Sequence, residues 1–152
     1  MSDSRTILLV EDNPDDEELT LRALRKGGVS RPVQVARDGP EALDYLFGLN
    51  AFAGRDTTQV PRVMLLDLKL PKLSGLDVLK RTRADLRTRL MPVVILTSSV
   101  EDSDLKQCYA LGANSYVRKP VEFDEFVEVI RSIAHYWLSL NELPGGPYRP
   151  CG

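Results

Sequence analysis

The chain predicts an α/β fold, a parallel sheet layered between helices, and three observations carry that prediction. Four short and mostly apolar runs stand apart: Ile7 to Val10, Val63 to Leu66, Val93 to Leu96 and Ser115 to Val117. Each is followed by a helical pattern, as expected of buried strands in a parallel sheet. Each also ends in a polar residue of a different kind: Glu11 and Asp12, Asp67, Thr97, then Arg118 and Lys119. In a parallel sheet all carboxyl ends open onto one edge, where ligands bind, so these side chains are candidates for one cleft.

The elements follow in order. Asn13 and Pro14, with Asp15, Asp16, Glu17 and Glu18 behind them, make a strong helix start: a capping side chain, a proline at the first helical position, and acids against the positive helix end. Leu19, Ala23 and Leu24 give that helix its apolar face, and Lys26, Gly27 and Gly28 end it. Val33 to Ala36 is a second strand. The next helix enters through Asp38, Gly39 and Pro40 and carries Ala42, Leu43, Leu46 and Phe47 at helical spacing. Residues 48 to 61 lose all periodicity and read as a long surface loop.

After Asp67, the stretch Leu70 to Gly75 is a turn leading to a helix through Leu76, Leu79 and Lys80. The run RTRADLRTR from Arg81 to Arg89 reads as a solvated helix face, because its arginines alternate with Asp85 and helix-end residues. Glu101, Asp102 and Asp104 open a fourth helix with Leu105, Cys108 and Leu111 on its apolar face, closed by Gly112. The last helix begins near Glu122 and carries Phe126, Val129, Ile130, Ile133, Ala134 and Trp137. Pro144, Gly145, Gly146, Pro147 and Pro150 then favour an extended arm. Two units are expected: a domain over 1–140 and a carboxyl-terminal arm over 141–152.

Five strand and helix pairs joined by right-handed crossovers admit few sheets. The flavodoxin-like, doubly wound order 2-1-3-4-5, with helices on both faces, is the commonest solution at this length. It places strands 1 and 3 side by side, about 4.8 Å apart, so Glu11 and Asp12 lie beside Asp67.

Composition narrows the function classes. Lys plus Arg number 20 against 22 Asp plus Glu, a net charge of -2 that gives no general attraction for nucleic acid or an anionic membrane. No secretory leader precedes the first apolar run, and no stretch approaches the roughly 20 apolar residues of a membrane span; a cytoplasmic protein is expected. Cys108 and Cys151 match neither a disulfide framework nor metal-ligand spacing, and Cys108 reads as a reduced core thiol. His135 reads as a partly buried packing residue rather than a ligand.

Three crowded carboxylates repel one another, and without a cation at least one takes up a proton. Magnesium resolves the conflict, since it accepts one or two carboxylates, keeps several waters and binds phosphate oxygens. Asp67 is then the carboxylate placed to attack phosphorus in line and form an aspartyl phosphate. Lys119 and Thr97 supply donors to the phosphoryl oxygens. Pro120, directly after Lys119, offers a cis peptide that would fix the lysine's direction.

With these residues in view, the chain resembles the response-regulator receiver domains of bacterial two-component signalling over about residues 5 to 138. The motifs are LLVEDN, LLDLKLPKLSG, VVILTSS and YVRKP. The resemblance implies Asp67 as phosphoacceptor, Glu11 and Asp12 as metal-binding acids, Thr97 as switch hydroxyl, Lys119 as the family's lysine, and Tyr116 as the aromatic that turns inward with Thr97. It also implies that the Lys69 backbone carbonyl binds the metal, and that the Lys69 side chain and Ser99 tune phosphate lifetime. The long loop and the ending HYWLSLNELP look like the single-domain regulators paired with bacterial phytochrome histidine kinases. That likeness implies a sensor kinase partner, a downstream protein target, and a homodimer through the face of helices 4 and 5 and the carboxyl-terminal arm. Too few residues follow 138 for an output module, so output is expected through protein contacts.

Two other classes use parts of the same pattern. A magnesium-dependent phosphohydrolase with an aspartyl-phosphate intermediate usually has a second acid two residues after the nucleophile, where this chain has Lys69. A flavin-binding domain of this topology needs a phosphate-cradling loop after strand 1, where this chain has acids.

Overall fold

The architecture follows from strand burial. In the computed structural model, which describes residues 6–144, ten principal elements alternate: β1 (Ile7–Val10), α1 (Pro14–Lys26), β2 (Val33–Ala36), α2 (Gly39–Phe47), β3 (Val63–Leu66), α3 (Gly75–Ala84), β4 (Val93–Thr97), α4 (Asp102–Ala110), β5 (Ser115–Arg118) and α5 (Phe123–His135). β1, β3 and β4 are buried along their whole length, as strands covered on both faces must be. The sheet order is β2-β1-β3-β4-β5 and every pairing is parallel, as the sequence predicts.

Successive strand residues face opposite sides of the sheet. Leu8, Val10, Met64, Leu66, Val93 and Ile95 pack with residues of α2, α3 and α4 such as Leu46, Leu79 and Cys108. Ile7, Leu9, Val63, Leu65, Val94 and Leu96 pack with Ala23, Leu24, Phe126 and Ile130 of α1 and α5. Each fully buried aliphatic side chain contributes roughly 1.5–3 kcal/mol, so the two layers fix the strand ends with respect to one another.

Helix starts follow the expected chemistry. The Asn13 side chain accepts from the Asp15 and Asp16 amides at 2.9 and 3.2 Å, and Asp38 accepts from the Glu41 amide at 2.7 Å. α4 and α5 begin without a side-chain cap.

Four expectations need correction. The loop before β3 is organised rather than featureless: Asn50–Phe52 forms a 3-10 turn, Phe52 meets Tyr45 edge to face at 5.2 Å, and the Arg55 guanidinium lies 4.2 Å over Tyr45 while donating to the Tyr45, Leu46 and Gln59 carbonyls. Arg83 is no solvated arginine. It donates to the Gly112, Arg89 and Met91 carbonyls and to Asn114 Oδ1, bolting the end of α3 to the turns before β4 and β5, and burial lowers its pKa. His135 is exposed, because it faces away from the α1–α5 packing that takes Ile133 and Ala134. The Lys119–Pro120 bond is trans, as is every peptide bond among the described residues.

Beyond α5 the chain continues as one π-helical stretch, Tyr136–Leu140. Arg62, just before β3, donates to the carbonyls of Trp137 at 3.2 Å and Asn141 at 3.0 Å. Of the expected arm, residues 145–152 lie outside the described residues. Among the described residues no helix is long and apolar enough to cross a membrane.

Candidate functional site

Strand register assembles the site. Val10 pairs with Leu66, so Glu11 and Asp67, the next residue of each strand, stand side by side, and the Asp67 amide donates to the Val10 carbonyl at 3.1 Å. Thr97 pairs with Arg118, and the Lys119 amide donates to the Thr97 carbonyl at 2.8 Å. Four chain segments thus deliver Glu11, Asp67, Thr97 and Lys119 to the same edge.

Glu11, Asp12 and Asp67 carry oxygens within 4.8 Å of one another. Glu11 and Asp67 are buried whereas Asp12 is exposed, giving a pocket with a protein floor and an open side. That donor set fits a hard divalent cation that retains waters. Lys119 lies across it. Its ammonium meets Glu11 Oε1 at 2.5 Å, Asp16 Oδ2 at 2.9 Å and Asp67 Oδ2 at 3.0 Å, with only 7% of the lysine side chain exposed. Ion pairs rather than a cis peptide fix its direction.

The titration behaviour reflects this crowding. Burial is the largest influence on Glu11 and, with the Asp67 charge, pushes its carboxyl up to about 7 against the opposing pull of Lys119. Burial alone would lower the Lys119 pKa, but its pairs with Glu11, Asp67 and Asp16 outweigh that and hold it above the ordinary lysine value. The acids therefore compete for one ammonium, and a bound cation would relieve them.

On the other side of Asp67 the polar groups form a chain. Thr97 is fully buried, and its Oγ1 accepts from the Ser99 amide at 3.3 Å. Ser99 Oγ donates to Asp104 Oδ2 in α4 at 2.7 Å, and the Tyr116 hydroxyl donates to the Ser99 carbonyl at 3.3 Å. Thr97, Tyr116 and the first turn of α4 consequently meet at one serine. The Lys69 amide donates to Asp67 Oδ1 at 3.3 Å, orienting the carboxylate, and its position supplies no second acid.

Two contributors escape the motif reading. Asp16 looks like an ordinary acid of a helix first turn, yet it touches Lys119. Gly75 opens α3 so close to Asp67 that a Cβ there would lie 2.2 Å from the Asp67 carbonyl oxygen and 2.7 Å from the Leu68 Cα. The only signal for Gly75 is its place in LLDLKLPKLSG.

A doubly wound sheet whose carboxyl edge gathers acids, a buried threonine and a lysine defines a regulatory domain built for a cation and a phosphoryl group. The chain belongs to the response regulator receiver domain family, whose description matches residues 7–131. Among solved structures, the bacteriophytochrome response regulator AtBRR is 51% identical with a TM-score of 0.73, covering 91% of this chain and 98% of that one. The phosphorylated cyanobacterial phytochrome response regulator RcpA is 35% identical with a TM-score of 0.85, covering 92% and 98%. The Mn2+-bound form of response regulator Rcp1 is 30% identical with a TM-score of 0.84, covering 92% and 99%; Rcp1 comes from Synechocystis.

Proposed function

We propose that this chain is a single-domain response regulator whose Asp67 accepts a phosphoryl group from a sensor histidine kinase and thereby changes its protein contacts. One observation carries the reading: Glu11, Asp12 and Asp67 offer a hard-cation donor set that also contains a carboxylate contacted by Lys119. In the transfer, an Asp67 carboxylate oxygen forms a bond to phosphorus as the phosphorus–nitrogen bond of the donor phosphohistidine breaks. The bonding pair stays on the imidazole nitrogen, which regains its proton from solvent.

Mg2+ is the proposed cation, held by Glu11, Asp12, Asp67 and the Lys69 backbone carbonyl; bound there, it neutralises charge on the phosphoryl oxygens. Lys119 pairs with one of those oxygens and Thr97 donates to another. When Thr97 turns toward the phosphoryl group it gives up the Ser99 amide, loosening the serine that holds Tyr116 and α4. Autodephosphorylation by water returns the site to rest. The proposed receiver unit is 1–140, with 141–152 assigned to a separate carboxyl-terminal segment.

The kinase partner is proposed to be a bacterial phytochrome, on the strength of the likeness to AtBRR and RcpA. A cytoplasmic location, a protein target downstream and a homodimer through the α4 and α5 face with the arm complete the reading. Incubation with acetyl phosphate and Mg2+, followed by phosphate-affinity electrophoresis, tests it. A shifted band is expected, lost in Asp67→Asn; no shift, or a shift that survives the substitution, overturns the assignment.

A further inference from the structure

Lys119 spends its whole donor capacity on carboxylates. A lysine ammonium has three N–H groups and accepts nothing, and here the three partners are Glu11, Asp16 and Asp67. Two of these belong to the acid trio that fits a cation. Once a cation and a phosphoryl group engage Glu11 and Asp67, those two hold the lysine less firmly. Asp16 stands outside that trio, on the first turn of α1.

The Asp16 backbone is fixed independently of the lysine. Its amide donates to Asn13 Oδ1 at 3.2 Å and its carbonyl accepts from Thr20 Oγ1 at 2.8 Å. The carboxylate is therefore presented to Lys119 by a capped helix start rather than by a mobile loop, with 35% of its side chain exposed.

We infer that Asp16 is a positioning residue for phosphoryl transfer, the counter-ion that keeps Lys119 over Asp67 while the metal-binding acids are otherwise engaged. The inference rests on the reading of Asp67 as phosphoacceptor. In that step the Asp67 oxygen bonds to phosphorus, the bond to the donor's leaving group breaks, and the leaving group keeps the electron pair. Asp16 acts only through the ammonium that receives the phosphoryl charge.

The experiment measures the rate of phosphorylation by acetyl phosphate at saturating Mg2+, so that altered metal affinity does not enter. Asp16→Asn is expected to slow the reaction about fivefold, as loss of one partly exposed charge-assisted contact, and Asp16→Glu to retain most of the rate. In a Lys119→Ala background, Asp16→Asn should have no further effect, because a residue acting through the lysine is silent without it. A second readout is the Lys119 ε-ammonium NMR signal with Mg2+ bound, expected sharp in the parent protein and broadened by exchange in Asp16→Asn.

An unchanged rate in Asp16→Asn, an equal loss in both backgrounds, or an unchanged ammonium signal overturns the role. Asp16→Ser guards against a folding artefact, since it removes the charge while keeping a short polar side chain. Failure of both neutral variants to fold would assign Asp16 to the fold and also overturn it. A parent protein that is never labelled would instead condemn the phosphoacceptor reading itself.

Discussion

Replacing Lys119 with methionine should destabilise the metal-free protein and make it unusually dependent on a divalent cation. The ammonium is buried among three acids, and removing one partner of a buried ion pair leaves the others uncompensated at a cost of about 3–5 kcal/mol. The lower end applies here, because Glu11 already sits near 7 and escapes part of the penalty by taking a proton. The contact to Asp16 is discounted for its exposure. A loss of about 3 kcal/mol in a domain of this size corresponds to a fall in melting temperature of roughly 6–12 °C. Thermal melts in EDTA at pH 7.5 measure it. Repeating them with saturating Mn2+ should restore most of the loss, since the cation then does the lysine's work without competing with it. A variant as stable as the parent in EDTA, or one gaining no more from Mn2+ than the parent does, would refute the view of Lys119 as the internal counter-ion.

Further outcomes follow from other residues. Gly75→Ala should cost about 2–3 kcal/mol and slow labelling of Asp67, because the added carbon has only the Asp67 and Leu68 backbone to displace; urea unfolding and the acetyl phosphate assay read both effects. Arg83→Ala should cost about 3 kcal/mol in urea, as three carbonyls in the turns before β4 and β5 lose a shared donor, while phosphorylation stays near the parent level. For Glu11, a folded pKa raised from 4.5 to about 7 means that stability is fully present below about 4.5 and is lost as pH rises through 7, about 3 kcal/mol in all. Denaturation in EDTA across that window should show the slope, and Glu11→Gln should flatten it. Cys108, raised from 9.0 to about 11 by burial and by Asp104, should react slowly with a disulfide reagent at pH 8 in the native protein and rapidly in guanidinium.

The fold was legible because the buried strands advertise themselves. β1, β3 and β4 are short apolar runs with no solvent face, and the glycines, prolines and caps between them mark where helices start and stop. The site was legible for the same reason. A polar residue at or just past the carboxyl end of a parallel strand stands at the sheet edge whatever the rest of the chain does, so Glu11, Asp67 and Thr97 at the ends of buried strands, and Lys119 after the half-buried β5, share that edge. What stayed hidden depends on side-chain reach. Arg83 lies in a run of charges that looks solvated, and only the convergence of two turns around its guanidinium reveals a half-buried bolt. His135 follows two buried residues of α5, yet its own direction on the helix turns it to solvent.

Asp16 illustrates the limit most sharply, because two forces select the same residue. An acid in the first turn of a helix is stabilised by the helix dipole, so its presence in DNPDDEE needs no further cause in the sequence. The helix start, however, lies directly after β1, which carries α1's first turn to the edge where Lys119 emerges from β5. Neighbouring acids Asp15, Glu17 and Glu18 share the dipole argument equally, yet only Asp16 among them pairs with Lys119. If the acid at position 16 served the helix alone, Asp15 and Glu17 would cover its loss and Asp16→Asn would leave reactivity unchanged. The geometry requires instead that Asp16→Asn slow phosphorylation while Asp15→Asn, which removes an equal charge from the same turn without touching Lys119, leaves the rate at the parent level.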